Sequence, residues 1–365
     1  MVTSPDLTAK TKPQPSEHSR NNTPSSFPAP SHLTLSMPVK YSDPGVEPHV
    51  DNEEALTREI ISIINRVQDH NFSLHRHGFR GTHVKTQGVV KGKLTVPSDL
   101  PSDLAVGICA QPGTYDCAIR YANEPSFLQD DRAAGPRGCG MKVFTPTVQD
   151  FTFNNAPILE LRDLPTTVQI FRIRERHFRE PEKIKPEIEK RDDKDLQMAP
   201  MQLPNQHFLS YEMFSQSAYQ WGDLVVKYGL FPTTKVDPGS VEDSEQHSKW
   251  LQQYFEKHEM TYDFRLQICQ DLEKQPVEDA SVEWAGEWTT VAQVVLPKQD
   301  SWDAKRRAFW DDHMKLNVWA GYDEHRPLGS VNRLRRTLYD AAQKKRAKLN
   351  AVDKIEAVKS VDEIP

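Results

Sequence analysis

Arg335-Arg336-Thr337-Leu338-Tyr339, continuing through Asp340-Ala341-Ala342-Gln343 to Lys344-Lys345-Arg346, is the stretch from which the rest of the chain is read. The spacing predicts a helix over 331–349. Arg335 and Tyr339 then stand four residues apart on one face. Arg346 comes round to within about 20° of Arg335, because each helical residue advances by roughly 100°. A phenol flanked by guanidinium groups is unusual chemistry. A permanently charged arginine favours the ionised form of its partner, so a normally neutral tyrosine can be held as phenolate. A phenolate is a hard anionic ligand for ferric iron. The same stretch is also compatible with a basic surface helix carrying a half-buried tyrosine.

Three further stretches precede it. Phe79-Arg80-Gly81-Thr82-His83-Val84-Lys85-Thr86-Gln87-Gly88 runs into a strand-like segment ending at Val96. Ala118-Ile119-Arg120-Tyr121-Ala122-Asn123 reads as a second strand. Phe153-Asn154-Asn155-Ala156-Pro157-Ile158 is followed by Leu161-Arg162-Asp163, and Pro136-Arg137-Gly138, Lys142 and Phe144 fall between. In this order the motifs resemble the haem catalase superfamily: an Arg-x-x-His-x-Lys segment opening the barrel, its second strand, a distal Asn-Asn-x-Pro-Ile segment, and an Arg-x-x-x-Tyr helix near the end. The resemblance runs from about residue 60 to 350.

The resemblance implies an α+β fold, an antiparallel eight-stranded catalase-like β-barrel with peripheral helices and haem b buried between barrel and C-terminal helix. Tyr339 would be the axial ligand of the ferric iron, kept anionic by Arg335. His83 would be the distal acid/base, and Asn154 would orient the distal oxygen. Arg80, Arg120 and Arg346 match the positions that pair with haem propionates, and guanidinium forks suit carboxylates. The length of 365 residues is that of the small members, mini-catalases and allene oxide synthase-like enzymes.

The departures from the family pattern concern the substrate. Thr82 precedes the distal histidine where catalases place a small apolar residue. Allene oxide synthases of the superfamily share this Thr-His pair, and the hydroxyl can hydrogen-bond into the pocket. Ala122 stands where catalases place a serine. Leu159 and Thr167 replace two aromatic positions facing the haem. These features suit an organic, fatty-acid hydroperoxide, to be rearranged, cleaved or reduced. The alternatives are a true small catalase or peroxidase acting on hydrogen peroxide, and a non-catalytic haem-binding protein.

Composition sets outer bounds. A net charge of -6 argues against a nucleic-acid partner. No apolar run approaches the roughly 20 residues of a transmembrane helix, and no hydrophobic leader is visible, which suits a cytoplasmic protein. The resemblance allows a homo-oligomer. Cys109, Cys117, Cys139 and Cys269 form no Cys-x-x-Cys pair and read as free thiols in a reducing compartment. His75 and His77 have the spacing of a metal pair but no further ligand nearby, and read as loop histidines.

Residues 1–40, rich in Pro, Ser and Thr, are expected to be a disordered tail; Met37 could serve as an alternative start. Residues 41–350 are expected to form a single haem domain and 351–365 a frayed end. Strands are expected at 83–96, 116–122, 138–144, 157–162, 223–230, 262–271 and 289–296. Helices are expected from about 53 to 67, near 102–110 and 166–178, over 244–258 and over 303–310, with an extended connection at 311–330.

Overall fold

The computed structural model describes residues 37–353 and 355–365, so most of the tail expected over 1–40 lies outside the described residues. Among these, nine strands form one sheet: β1 (Thr86–Val96), β2 (Gly113–Asn123), β3 (Arg137–Phe144), β4 (Val148–Asn154), β5 (Met213–Phe214), β6 (Tyr219–Trp221), β7 (Leu224–Pro232), β8 (Met260–Ile268) and β9 (Trp288–Leu296). The spatial order is β5-β4-β3-β2-β1-β9-β8-β7, all pairs antiparallel, and β5 pairs back onto β7. Eight strands therefore close into a barrel. The short β6 continues along the same edge of β7. Between β5 and β6 the chain breaks, and Gln216 takes left-handed backbone with φ 63°.

Period-two alternation decides what faces where. Ile119 and Tyr121 of β2, Met141 and Val143 of β3, and Phe151 and Phe153 of β4 join the main core. With Tyr228 and Phe264 they fill the interior, the Phe151 ring meeting the Tyr228 and Phe264 rings edge-on at 5.1 Å. An eight-stranded barrel has room for little more than its own side chains. The alternate residues Arg120, Ala122, Gly138, Gly140, Thr152 and Asn154 face outward, and the functional cavity lies on that outer face.

The described helices are α1 (Glu53–His75), α2 (Leu164–Arg176), α3 (Ile184–Ile188), α4 (Lys194–Met198), α5 (Gln246–Phe255), α6 (Ala304–Ala308) and α7 (Ser330–Leu349). Asp163 starts α2 by accepting from the Thr166 amide at 2.8 Å, with a proline in the first turn. Ile60, Ile63, Ile64 and Val67 of α1 recur at helical spacing and are buried against Leu164, Val168 and Phe171 of α2 and Val331 and Leu334 of α7. Each such side chain contributes roughly 1.5–3 kcal/mol on burial. Buried Gln68 of α1 ties the bundle to the barrel entrance, its amide donating to the Phe79 and Ala342 carbonyls at 2.8 and 3.0 Å. No described helix is long and apolar enough to cross a membrane.

Several expectations change. The segment 157–162 is not a strand. Proline 157 supplies no amide for a ladder, Leu159 N donates to the Ala280 carbonyl, and Arg162 sits at φ 53°. The fourth strand is instead β4, immediately upstream. The helix near 102–110 is a single 3-10 turn, Gly107–Cys109. The helix at 303–310 continues past Ala308 as a π-turn, Phe309–His313. Residues 355–365, expected to fray, pack instead: Val358 and Ile364 are buried with Trp310 and Met314, and the Ile364 carbonyl accepts from Lys91 Nζ.

Candidate functional site

A cavity lies between the outward faces of β2–β4 and helices α1, α2 and α7. Arg80, Thr82, His83, Arg120, Asn154, Arg335, Tyr339 and Arg346 all line it. The eight residues singled out from sequence thus meet in one place. Lys85, within the same upstream motif, points elsewhere, into a buried ion pair with Asp131 at 2.9 Å.

One end is crowded with arginines. Arg80 Nη1 donates to Asp311 Oδ1 at 2.7 Å, and Arg120 Nε reaches the same oxygen at 3.1 Å. Thr86 Oγ1 donates to both Asp311 oxygens at 2.7 and 2.8 Å. Arg346 is buried, gives Nη2 to the Met314 carbonyl at 3.0 Å, and leaves its Nε without a partner. Burial would push the Asp311 carboxyl up, but Arg120 and Arg80 outweigh it and hold it below its ordinary value. The arginines pay the reverse cost: burial, then Arg80, pulls Arg120 down to about 9, and burial and Arg80 pull Arg346 well below its usual range. Asp312 faces His77 and Asn350 instead, at 3.1 and 2.9 Å. Three guanidinium groups set against the one carboxylate of Asp311 leave an excess of two positive charges, and among the described residues Arg346 contacts no carboxylate.

His83 enters at the mouth of the barrel in left-handed backbone, φ 54°, its amide donating to the Glu124 carbonyl at 2.7 Å. Burial, with Arg120, Arg335 and Arg80 nearby, drives its imidazole down to about 3, against a hydrogen bond to the Ala122 carbonyl. At neutral pH the ring is uncharged. Gly138 makes room for it: a Cβ there would lie 2.5 Å from His83 Cε1 and 2.7 Å from Asn154 Oδ1. Asn154 Nδ2 donates to Gln216 Oε1 at 2.9 Å, leaving Asn154 Oδ1 buried and without a partner. Thr82 lines the cavity, and its hydroxyl makes no hydrogen bond to the other described residues.

On the helix side Arg335 and Tyr339 face the cavity together, as the four-residue spacing requires. Arg335 Nη1 donates to Asn332 Oδ1 at 2.9 Å and lies 3.4 and 3.5 Å from Ser217 Oγ and Tyr219 OH. Burial raises the Tyr339 phenol above its ordinary value, and Arg335 only partly opposes it. The guanidinium alone therefore does not favour the phenolate over the neutral phenol.

The opposite end is acidic and was not singled out in the sequence. Arg174 of α2 reaches Glu160 at 3.1 Å and Glu124 at 3.4 Å, and both carboxylates line the cavity. Burial, with Glu124 adjacent, raises the Glu160 carboxyl despite Arg174. Asp311 and Gln216 were also missed. Each lies outside the four motifs, and neither carries a local sequence signal. The cysteines are all buried; burial drives Cys109 and Cys117 up to about 12, so neither is a reactive thiolate.

No group of three His, Cys, Asp or Glu side chains among the described residues has the geometry of a metal site. His77 is paired with Asp312. The donor set instead fits a flat, dicarboxylate macrocycle whose metal accepts an oxygen ligand. It offers one phenol, an excess of two positive charges over carboxylate at its arginine end, apolar walls including Leu159, Met314, Leu334 and Leu338, and a glycine floor.

A closed eight-stranded antiparallel barrel with helices over its outer face is the catalase fold. Solved structures bear this out. The chain is similar to catalase A from Saccharomyces cerevisiae at 13% identity and TM-score 0.59, over 87% of this chain and 69% of that one. It is similar to a fungal catalase at 13% identity and TM-score 0.60, over 90% and 72%. It is similar to a bacterial catalase at 16% identity and TM-score 0.53, over 90% and 67%. At these identities the likeness is one of fold. No protein-family model matches the chain, and no curated protein matches it in sequence.

Proposed function

We propose that the cavity holds haem b and that the protein processes peroxides there, an organic hydroperoxide such as that of a fatty acid in preference to hydrogen peroxide. The observation that carries the reading is the excess of two positive charges where Arg80, Arg120 and Arg346 meet the one carboxylate of Asp311, on the same cavity as Tyr339 and His83. Two propionates would match them. Tyr339 would hold the iron through its phenolic oxygen, and the cation there would add the positive charge that Arg335 alone lacks. Bound haem supplies a redox-active iron able to cleave an O–O bond. Neutral His83 is placed to take the proton of an arriving hydroperoxide at its free ring nitrogen and return it to the departing oxygen. Asn154 orients that oxygen, and Thr82 adds a hydroxyl with no partner among the described residues. Leu159 and Thr167 are smaller than aromatic walls and leave width for an alkyl chain, and Ala122 offers no hydroxyl beside His83.

The retained His83–Asn154 pair also favours a second reading, a small catalase or peroxidase using hydrogen peroxide. The experiment compares oxygen release from hydrogen peroxide with diene loss from a lipid hydroperoxide, on protein whose absorption spectrum shows bound ferric haem. Rapid oxygen release with the lipid untouched selects the second reading. Tyr339→Phe should abolish phenolate ligation and shift the spectrum; an unshifted spectrum removes Tyr339 from the site.

A further inference from the structure

Gln216 belongs to none of the four motifs, yet it controls a residue that does. It sits in the break between β5 and β6, 3% exposed, in a left-handed conformation that side chains disfavour. Its Nε2 donates to the Ile158 carbonyl. A main-chain carbonyl can only accept, so this contact settles which end of the glutamine amide is which. The other end, Oε1, can only accept as well. Asn154 must therefore turn Nδ2 toward it, at 2.9 Å.

The Asn154 oxygen is left on the other side, buried and without a donor. It shares the space over Gly138 with the edge of the His83 ring. The part of that ring nearest the space is its Cε1 edge. Asn154 Oδ1 is thus the unpaired acceptor that the space presents. Were the Asn154 amide free to turn, the same position could present an N–H.

We propose that Gln216 is a positioning residue that fixes the polarity of this corner: by locking the Asn154 amide it keeps the amide oxygen, not the N–H, facing the space beside His83, and so selects a ligand arriving as a neutral O–H or N–H donor, such as a protonated hydroperoxide, over an anion. The selectivity rests on the haem reading above; the lock itself does not. A protonated ligand recovers the bond that Asn154 Oδ1 lacks, whereas an anion meets its lone pair.

The test has two arms. In the first, full-length protein labelled at asparagine side chains is followed by amide hydrogen exchange in NMR. One Asn154 side-chain N–H should be protected in wild type and lose that protection in Gln216→Met. Exchange in wild type as fast as that of an exposed asparagine overturns the lock, even if the variant fails to fold. In the second, haem-loaded wild type and Gln216→Met are titrated at pH 7 with hydroxylamine, which arrives neutral and carries N–H and O–H donors, and with azide, which arrives as an anion. The preference for hydroxylamine should fall by about tenfold in the variant, the scale of one hydrogen bond. A preference unchanged while protection is lost overturns the assigned selectivity. Protein that takes up no haem sinks the functional reading, and the exchange arm still decides the lock.

Discussion

At one end of the cavity Arg80, Arg120 and Arg346 gather round a single carboxylate, Asp311; at the other, Arg174 lies between two, Glu124 and Glu160. Both ends bury charge, and burial is costly for each group. The acidic end closes on itself: its one cation serves both anions, and Glu160 can also shed its charge by keeping a proton. The arginine end has no such recourse, because guanidinium groups stay charged in proteins. It stays short of negative charge unless something is brought to it. The difference separates a structural ion cluster from a binding one, and it rests on sign and number of charges rather than on burial.

The comparison is broken most severely by Asp311→Asn. This isosteric change takes the contacting carboxylate from half-buried Arg80 and buried Arg120 and removes one opposing charge from Arg346; removing one partner of a fully buried pair costs roughly 3–5 kcal/mol, which is the upper bound here. Urea denaturation of the haem-free protein should show that loss. A change under about 1 kcal/mol would mean that solvent already screens the cluster.

Acid should move the two ends in opposite directions. His83 has its folded value pulled to about 3, below the ordinary 6.5. The unfolded chain therefore takes up that proton first, and stability falls as pH drops from 6.5 toward 3. His247 and His325, both near 3, and His207, near 4, act in the same direction. Glu160 has its folded value raised, so it regains stability as pH falls through that value toward the ordinary 4.5. Unfolding free energy measured against pH should thus lose slope in His83→Gln, by at most about 1.4 kcal/mol per pH unit for one proton. An unchanged slope would show that His83 is more hydrated than its surroundings imply.

The smallest effect is expected for Glu160→Gln at neutral pH. Glu124 still serves Arg174, and the ionised form of Glu160 is already disfavoured, so a change of about 1 kcal/mol or less is expected. In acid the same variant should lose the protective contribution of Glu160. A loss at neutral pH equal to that of Asp311→Asn would erase the distinction between the two ends.

Much of the site could be read from sequence because its chemistry sits in short, ordered motifs. The spacing of Arg335 and Tyr339 puts both on one helix face, and alternation in β2 and β4 turns Arg120 and Asn154 away from the barrel core that Tyr121 and Phe153 fill. Six of the eight barrel strands were legible as strands, β4 and β5 were not, and the closed barrel came from the resemblance; the false strand was 157–162. There apolar Ile158, Leu159 and Leu161 imitate a strand while Pro157 denies it a ladder. Asp311 was not legible: it follows a short helix in a stretch read as extended, and only the π-turn aims it at Arg80 and Arg120. Gln216 fell in an ambiguous polar stretch, and its role depends on a carbonyl 58 residues away. The packed end at 355–365 is held by Lys91 and by a bridge from Met314 to Glu356, contacts that no local pattern announces.

The closure of the barrel has a consequence in time. Leu94 of β1 pairs with Val294 of β9, 200 positions later. At about 5–20 residues per second of synthesis, β1 waits about 10–40 s for that neighbour. Through that interval its edge is an unpaired strand, open to the wrong partner. α7 emerges later still, and with it Tyr339 and Arg346. The wall of the cavity is therefore made before its lid, and whatever the cavity encloses has its last long helix to wait for.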